Sequence, residues 1–153
     1  MYQRILVPVD GSDTARRGLD EAIALAKDLG AGIRLIHVVN KLPAVSPALT
    51  GPAVQALIDQ LRSSGESILH DSRVTVRAAG VAVDSRLIEA LGAEAGEPII
   101  AEAASWPADL IVCGTHGRRG LYRMLMGSDA EYILRHTGVP VLLIRADRSG
   151  ASP

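Results

Sequence analysis

The stretch from Asp109 to Ser128 decides the fold: it reads Asp109-Leu-Ile-Val-Cys113, then Gly114-Thr115-His116-Gly117, nine further residues, and Gly127-Ser128. The apolar run Leu110–Cys113 is short and contains β-branched residues, which is typical of a buried strand. Ser128 is followed three residues later by Glu131, a pattern that predicts a capping box at the start of a helix. The glycines therefore lie between the end of a strand and the beginning of a helix.

Such a strand–helix junction attracts anions, because free backbone N–H groups and the positive end of the helix dipole converge there. Glycines let the main chain approach phosphate oxygens, and three arginines add positive charge: Arg118, Arg119 and Arg123. The alternative is that these are ordinary turn glycines and that Ser128 is an ordinary cap, which isolated glycines support more often. The clustering of glycines, arginines and a helix cap favours a nucleotide-phosphate site.

The spacing Gly-x2-Gly-x9-Gly-Ser after an Asp-Leu-Ile-Val strand resembles that of the ATP-binding members of the universal stress protein family. The resemblance runs from Ile5-Leu6-Val7-Pro8-Val9-Asp10-Gly11-Ser12 to Gly138-Val139-Pro140-Val141-Leu142-Leu143-Ile144 and covers nearly the whole chain. It implies a Rossmann-like α/β fold: a five-stranded parallel open sheet in the order 3-2-1-4-5 with helices on both faces.

The composition fits one α/β domain. A chain of 153 residues favours a single domain, here residues 1–146 followed by a disordered tail at 147–153. Apolar residues make up 48% of the chain without a single Phe, which suits an aliphatic parallel sheet under Ala-rich helices. The net charge of −1 and the few aromatic residues argue against nucleic-acid binding. No apolar run approaches the roughly 18 residues of a membrane span, so a soluble cytoplasmic protein is expected.

The order of predicted elements is that of a parallel sheet. A strand at Arg4–Val9, a helix ended by Gly30 and a strand at Ile33–Val39 follow one another with short links, which predicts a βαβ unit. Asn40–Pro52 contains three prolines and is predicted to be irregular, either as a binding lid or as a variable insertion. The remaining predictions are a helix from Ala53 to about Ala79, a strand from Val81 through Leu87, a short helix from Glu97, a strand at Leu110–Cys113, a helix at Ser128–His136 and a strand at Val139–Ile144.

In an open parallel sheet, ligands bind beyond the carboxyl ends of the strands where the strand order reverses. The order implied by the resemblance puts this reversal between the first and fourth strands. Asp10-Gly11-Ser12 and Gly114–Ser128 leave those two strands, so we expect the two loops to meet.

The resemblance also implies roles for individual residues. Those on the adenine and ribose side are Pro8, Val9, Asp10 and Val38, and those around the ribose and phosphates are Gly114, Thr115, Gly117, Gly127 and Ser128. Asp129, directly after Ser128, also belongs to the predicted nucleotide-binding set. The ligand would be ATP, ADP or AMP, with Mg²⁺ on the phosphates. Asp10 and Val38 have the alternative roles of helix cap and core residue, and His116 is either a phosphate contact or a solvated loop residue. Asp129 stands where the family often has an apolar residue, and its charge could oppose a triphosphate.

The sequence contains no other nucleotide-site or catalytic motif. It has no Gly-x4-Gly-Lys-Ser/Thr, no Gly-x-Gly-x2-Gly after the first strand and no Gly-x-Ser-x-Gly. The four histidines lack metal-ligand spacing, and the single cysteine, Cys113, excludes an intramolecular disulfide. We therefore assign no catalytic residue, although slow ATP hydrolysis or autophosphorylation stays open.

The last strand, Val139–Ile144, is apolar and would form an edge of the sheet, which invites pairing with a second chain. The family resemblance implies a homodimer through it; the alternative is an edge covered by the protein's own long loop. Two functional hypotheses follow. One is a nucleotide-binding, stress-responsive regulatory dimer, and the other is a dimeric interaction module of the same fold that binds no nucleotide.

Overall fold

A computed structural model describes residues 1–41, 44, 47–48, 50–92, 95–116 and 126–145. The predicted tail at 147–153 and five positions of the Asn40–Pro52 loop lie outside these residues. The elements are β1 (Arg4–Pro8), α1 (Asp13–Leu29), β2 (Gly32–Asn40), α2 (Gly51–Ala78), β3 (Val83–Ala90), α3 (Gly96–Ser105), β4 (Leu110–Gly114), α4 (Ser128–His136) and β5 (Val141–Ile144).

The five strands form one parallel sheet in the order β3-β2-β1-β4-β5, which confirms the predicted fold. The central strand β1 lies between β2 and β4, with Ile5 beside both Ile33 and Leu110. None of the described helices has the length and apolar composition needed to cross a membrane.

Alternate residues of each strand point to opposite faces, so the sheet is buried on both sides. Two aliphatic clusters fill these faces. One cluster joins β1, β2 and β4 to α1 and α2 and includes Ile5, Val7, Leu19, Leu35 and Leu69. The other joins the same strands to α3 and α4 and includes Leu6, Ile36, Ile99, Ile111 and Ile133. Since α1 and α4 cover opposite faces, the loops that lead into them diverge between β1 and β4.

Several element boundaries differ from the sequence prediction. Helix α2 begins at Gly51, two residues before the predicted start, and it ends just before Gly80, whose φ of 78° is left-handed. The last strand begins at Val141 and not at Val139. The N–H of Val139 donates to Thr137 Oγ1 (3.0 Å), which makes Val139 part of the turn that precedes the strand.

Asp109 fixes the register of β1 against β4 at the amino-terminal edge of the sheet. Its two carboxylate oxygens accept the N–H groups of Gln3 (2.8 Å) and Arg4 (3.0 Å), and its own N–H donates to the Arg4 carbonyl (3.0 Å). One side chain therefore satisfies the N–H groups of Gln3 and Arg4 at the start of the central strand and aligns β1 with β4.

We predict that Asp109→Asn lowers the free energy of unfolding by about 1–2 kcal/mol, because one of the two N–H groups then faces an amide NH₂ and loses a charged acceptor. Denaturant unfolding measures this change. Asp20→Asn, which removes the same charge from an exposed site on α1, is the control. Equal stability of the two variants would contradict the register role.

Candidate functional site

The end of β4 lies directly against the first turn of α1. A Cβ added to Gly114 would be 3.0 Å from the carbonyl carbon, the carbonyl oxygen and the Cβ of Thr14. A Cβ added to Gly18 would be 3.5 Å from the Gly114 nitrogen. The start of the loop after β4 and the helix that follows the β1 loop are therefore neighbours, at the point where the strand order reverses.

The loop after β1 is a closed turn. Asp10 Oδ1 accepts the N–H of Ser12 (2.8 Å), and Gly11 has a left-handed φ of 81°. Ser12 Oγ then accepts the N–H of Ala15 (3.2 Å), so Ser12 and not Asp10 is the side chain that caps α1. The Asp10 carboxylate holds the turn at the carboxyl end of β1.

Thr115 holds the two ends of the glycine loop together. Its N–H donates to Ile144 of β5 (2.9 Å), and its carbonyl accepts the N–H of Gly127 (2.7 Å). Its hydroxyl is hydrogen-bonded to Nδ1 of His116 (2.9 Å). Thr115 and Gly127, which flank the loop, are thus joined directly. The N–H groups of both residues are already engaged.

The residues of the loop interior are placed only in part. Gly117, which the family resemblance assigns to the phosphates, lies outside the described residues, as do Arg118, Arg119 and Arg123. His116 is described and is half-buried, with its Nε2 atom buried and without a hydrogen-bond partner. The Nε2 edge of the ring is therefore turned inward.

The start of α4 differs from the predicted capping box. Gly127 is the N-cap in an extended conformation (φ −60°, ψ 149°), no side chain caps the helix, and Ser128 is its first residue. Glu131 forms an ion pair with Arg135 (2.8 Å) and does not turn back to the helix start. The hydroxyl of Ser128 is exposed and has no hydrogen-bond partner among the described residues. The first turn of α4 thus offers N–H groups without a side-chain cap and a free hydroxyl.

Asp129 is directed at a neighbouring helix. Its Oδ1 atom accepts the N–H of Ala95 (2.8 Å), the N-cap residue of α3. A carboxylate is favourable at a helix start because it faces the positive end of the dipole. Asp129 therefore links α3 to α4, a contact that the sequence did not reveal.

Pro8, Val9 and Val38 lie at the carboxyl ends of β1 and β2. Val9 is 5% exposed and its side chain belongs to the core between the sheet and α1, so only its main chain borders the loop. Pro8 is half-buried, and half-buried Val38 packs against the cluster under α3 and α4.

Charged groups at this edge tie α2 to the sheet. Glu89 of β3 accepts hydrogen bonds from Arg62 of α2 (2.6 Å) and from Lys41 (3.0 Å), and these bonds, led by that of Arg62, lower the pKa of Glu89 to about 2. Burial raises the pKa of the Cys113 thiol to about 12, so this thiol is unreactive at neutral pH. Within the described ranges, no three His, Cys, Asp or Glu side chains are grouped as metal ligands.

Comparison with known proteins identifies the family. The sequence profile of the Universal stress protein family matches residues 1–145.

The chain belongs to the universal stress protein family.

A universal stress protein of Methanocaldococcus jannaschii is 33% identical over 145 residues, which span 95% of this chain and 83% of that protein. A crystal structure of a family member from Burkholderia pseudomallei has a TM-score of 0.78 at 35% identity and covers 95% of this chain and 97% of its own.

Two more distant structures contain a bound nucleotide. A family member from Arabidopsis thaliana with AMP bound has a TM-score of 0.69 at 17% identity and covers 98% of this chain and 95% of its own. The universal stress protein of Archaeoglobus fulgidus in complex with dAMP has a TM-score of 0.65 at 23% identity and covers 94% of this chain and 98% of its own. At these identities the likeness establishes the fold.

We predict that Gly114→Ala destabilises the protein by about 1–3 kcal/mol, because the added methyl group meets the main chain of Thr14 and overpacks the contact. Thermal unfolding should then show a melting temperature several degrees lower, at about 2–4 °C per kcal/mol for a domain of this size. Gly138→Ala is the matched control, since a Cβ there meets nothing within 4 Å. Indistinguishable melting of the two variants would show that β4 and α1 do not depend on this close approach.

Proposed function

We propose that this universal stress protein binds an adenine nucleotide (ATP, ADP or AMP) between the carboxyl ends of β1 and β4, and acts in the cytoplasm as a stress-responsive regulatory dimer. The observation that carries the proposal is the uncapped start of α4, with the free hydroxyl of Ser128, at the reversal of strand order. An open strand–helix junction of this kind is the usual phosphate site of α/β folds.

The phosphates lie at α4 in this proposal. The N–H groups of Ser128 and Asp129 and the hydroxyl of Ser128 are the donors. Gly127 contributes the extended N-cap conformation that exposes them, since its own N–H is bonded to Thr115. Gly114 and Thr115 form the floor of the site, and Gly117 is proposed to cover the ligand from the loop. The buried, unpaired Nε2 of His116 gives the site a further group suited to a polar ligand.

The adenine and ribose lie on the β1–β2 side. Pro8 and Val38 supply half-buried apolar surface there, the main chain of Val9 borders the loop, and Asp10 carries a carboxylate suited to ribose hydroxyls. Because the described residues provide no cluster of carboxylates, Mg²⁺ would be held mainly by phosphate oxygens and water, as is common for nucleotide-bound Mg²⁺. The AMP and dAMP complexes of the structural relatives support a mononucleotide as the ligand class.

We expect wild-type protein to bind ATP with Mg²⁺, or AMP, in isothermal titration calorimetry. Ser128→Ala should weaken binding by about tenfold, because it removes one hydrogen bond to a charged group. Ser67→Ala, at an exposed position of α2, is the control and should bind as wild type does. If wild-type protein gives no heat with either nucleotide and releases none on denaturation, the chain is an interaction module without nucleotide.

The dimer is proposed to form through β5, an edge strand of the sheet. The carbonyls of Pro140 and Ile144 accept hydrogen bonds from Ile111 and Thr115 (2.9 Å each), so the even-numbered residues face β4. Since successive residues of a strand alternate in direction, the N–H and carbonyl groups of Val141 and Leu143 point to the outer edge. These are the groups that a second copy would pair with.

Leu143→Pro should raise the dimer dissociation constant by at least about tenfold, because proline removes an outward N–H and a twofold interface repeats the loss on both subunits. Leu143→Ala loses the same side-chain packing but keeps the N–H, so it should remain dimeric. Sedimentation velocity over a concentration series separates the two. A proline variant that dimerises as well as the alanine variant would exclude this edge as the interface.

A further inference from the structure

His37 of β2 holds the carbonyl of Val9, the residue that directly follows the central strand β1. Its Nδ1 atom lies 2.7 Å from the carbonyl oxygen of Val9. A carbonyl oxygen can only accept, so Nδ1 carries the proton and the tautomer of the ring is fixed by this contact. The N–H of Val9 also donates to β2, to the Ile36 carbonyl (2.9 Å). Both main-chain groups of Val9 are therefore held by neighbouring residues of β2.

The space for the His37 ring comes from Gly65 in the middle of α2. A Cβ on Gly65 would be 2.6 Å from Cδ2 and 3.1 Å from Nε2 of the ring, and 2.9 Å from Leu87 Cδ1. Glycine inside a helix costs about 1 kcal/mol relative to alanine. Gly65 is buried within a helix of 28 residues. A residue that is unfavourable in a helix therefore stands at the position where the imidazole ring needs space. The fit locks the ring between α2 and the sheet.

The held carbonyl is the point at which β1 turns into the crevice loop. Val9 is followed by Asp10, whose carboxylate accepts the N–H of Ser12, and Ser12 in turn caps α1. A shift of the Val9 carbonyl would rotate the next peptide and move the Asp10 carboxylate. The position of the β1 loop thus depends on a hydrogen bond donated from the neighbouring strand.

We infer that His37 is a positioning residue of the nucleotide site: it sets the orientation of Val9 and Asp10 through its Nδ1–H and does not touch the ligand. The expected effect of His37 on nucleotide affinity rests on the proposed function. Its effect on the conformation of the β1 loop does not, and it can be measured in the free protein without nucleotide.

The test compares His37→Asn with His37→Leu. The amide nitrogen of the asparagine takes nearly the place of Nδ1 and can donate to the Val9 carbonyl, whereas the leucine has a similar size and no donor. In nucleotide-free protein, amide NMR spectra should show the resonances of Asp10, Gly11 and Ser12 displaced in His37→Leu and close to wild type in His37→Asn. In calorimetry, the dissociation constant for the nucleotide should rise about tenfold in His37→Leu and recover in His37→Asn, as expected for a lost and a retained hydrogen bond.

A structural role in the core alone would move the melting temperature of both variants without this difference between donor and non-donor. Unchanged loop resonances and unchanged affinity in His37→Leu would overturn the inference. If wild-type protein binds no nucleotide, the proposed function fails, and the loop resonances of the free protein still decide the role of His37.

Gly65→Ala provides an independent variant should His37→Leu not fold. The added methyl group displaces the His37 ring from the side of α2, so the resonances of Asp10, Gly11 and Ser12 should move. The effect should appear although alanine has a higher helix propensity than glycine. Ser64→Ala, at the exposed neighbouring position, should leave them unchanged. If Gly65→Ala also leaves them unchanged, the ring does not transmit its position to the β1 loop.

Discussion

The structure depends on the close approach of Gly114 to the first turn of α1. A side chain at Gly114 would begin 3.0 Å from the main chain of Thr14, a distance at which neighbours must move. The absence of a Cβ at this residue lets the end of β4 lie against the helix that follows β1. The loop after β4 therefore starts close to the first turn of α1, although about a hundred residues separate them along the chain.

At these loop ends, several polar groups of the described residues are bonded to one another. Thr115 uses its N–H, its carbonyl and its hydroxyl, and Gly127 uses its N–H, to hold the glycine loop closed. Asp10 and Ser12 do the same for the β1 loop. Among the described residues, the first turn of α4, the hydroxyl of Ser128 and the Nε2 atom of His116 remain for a ligand. These hydrogen bonds would preorganise the two loops, which favours binding because fewer groups lose conformational freedom when a ligand binds.

The sequence, with the family resemblance, was sufficient for the fold. Period and turn signals predicted all nine elements, and the strand order implied by the resemblance was confirmed. The errors concern single hydrogen bonds. The pattern predicts Val139 to be in the last strand, but its N–H donates to the Thr137 side chain. It also predicts Ser128 as the N-cap of α4, but Gly127 adopts the N-cap conformation.

Contacts between residues that are distant along the chain could not be predicted from the sequence, because they depend on the tertiary structure. Gly65 looked like a weak point in a helix, and nothing in the local pattern connects it with His37, which lies 28 positions earlier. Asp129 likewise looked like a charge facing the phosphates, whereas it accepts the N–H of Ala95. Local patterns report period and turn chemistry; they do not report which side chain satisfies a donor on another element.

The bond from Ala95 also changes the electrostatic argument about the ligand. The carboxylate of Asp129 lies at the positive ends of both α3 and α4, so two helix dipoles partly compensate its charge. The repulsion by Asp129 would be greatest for the phosphate nearest the first turn of α4, because Coulomb energy falls with distance. On this reasoning, Asp129 would lower the affinity of the proposed site for phosphate without excluding ATP, and its benefit is the link between α3 and α4.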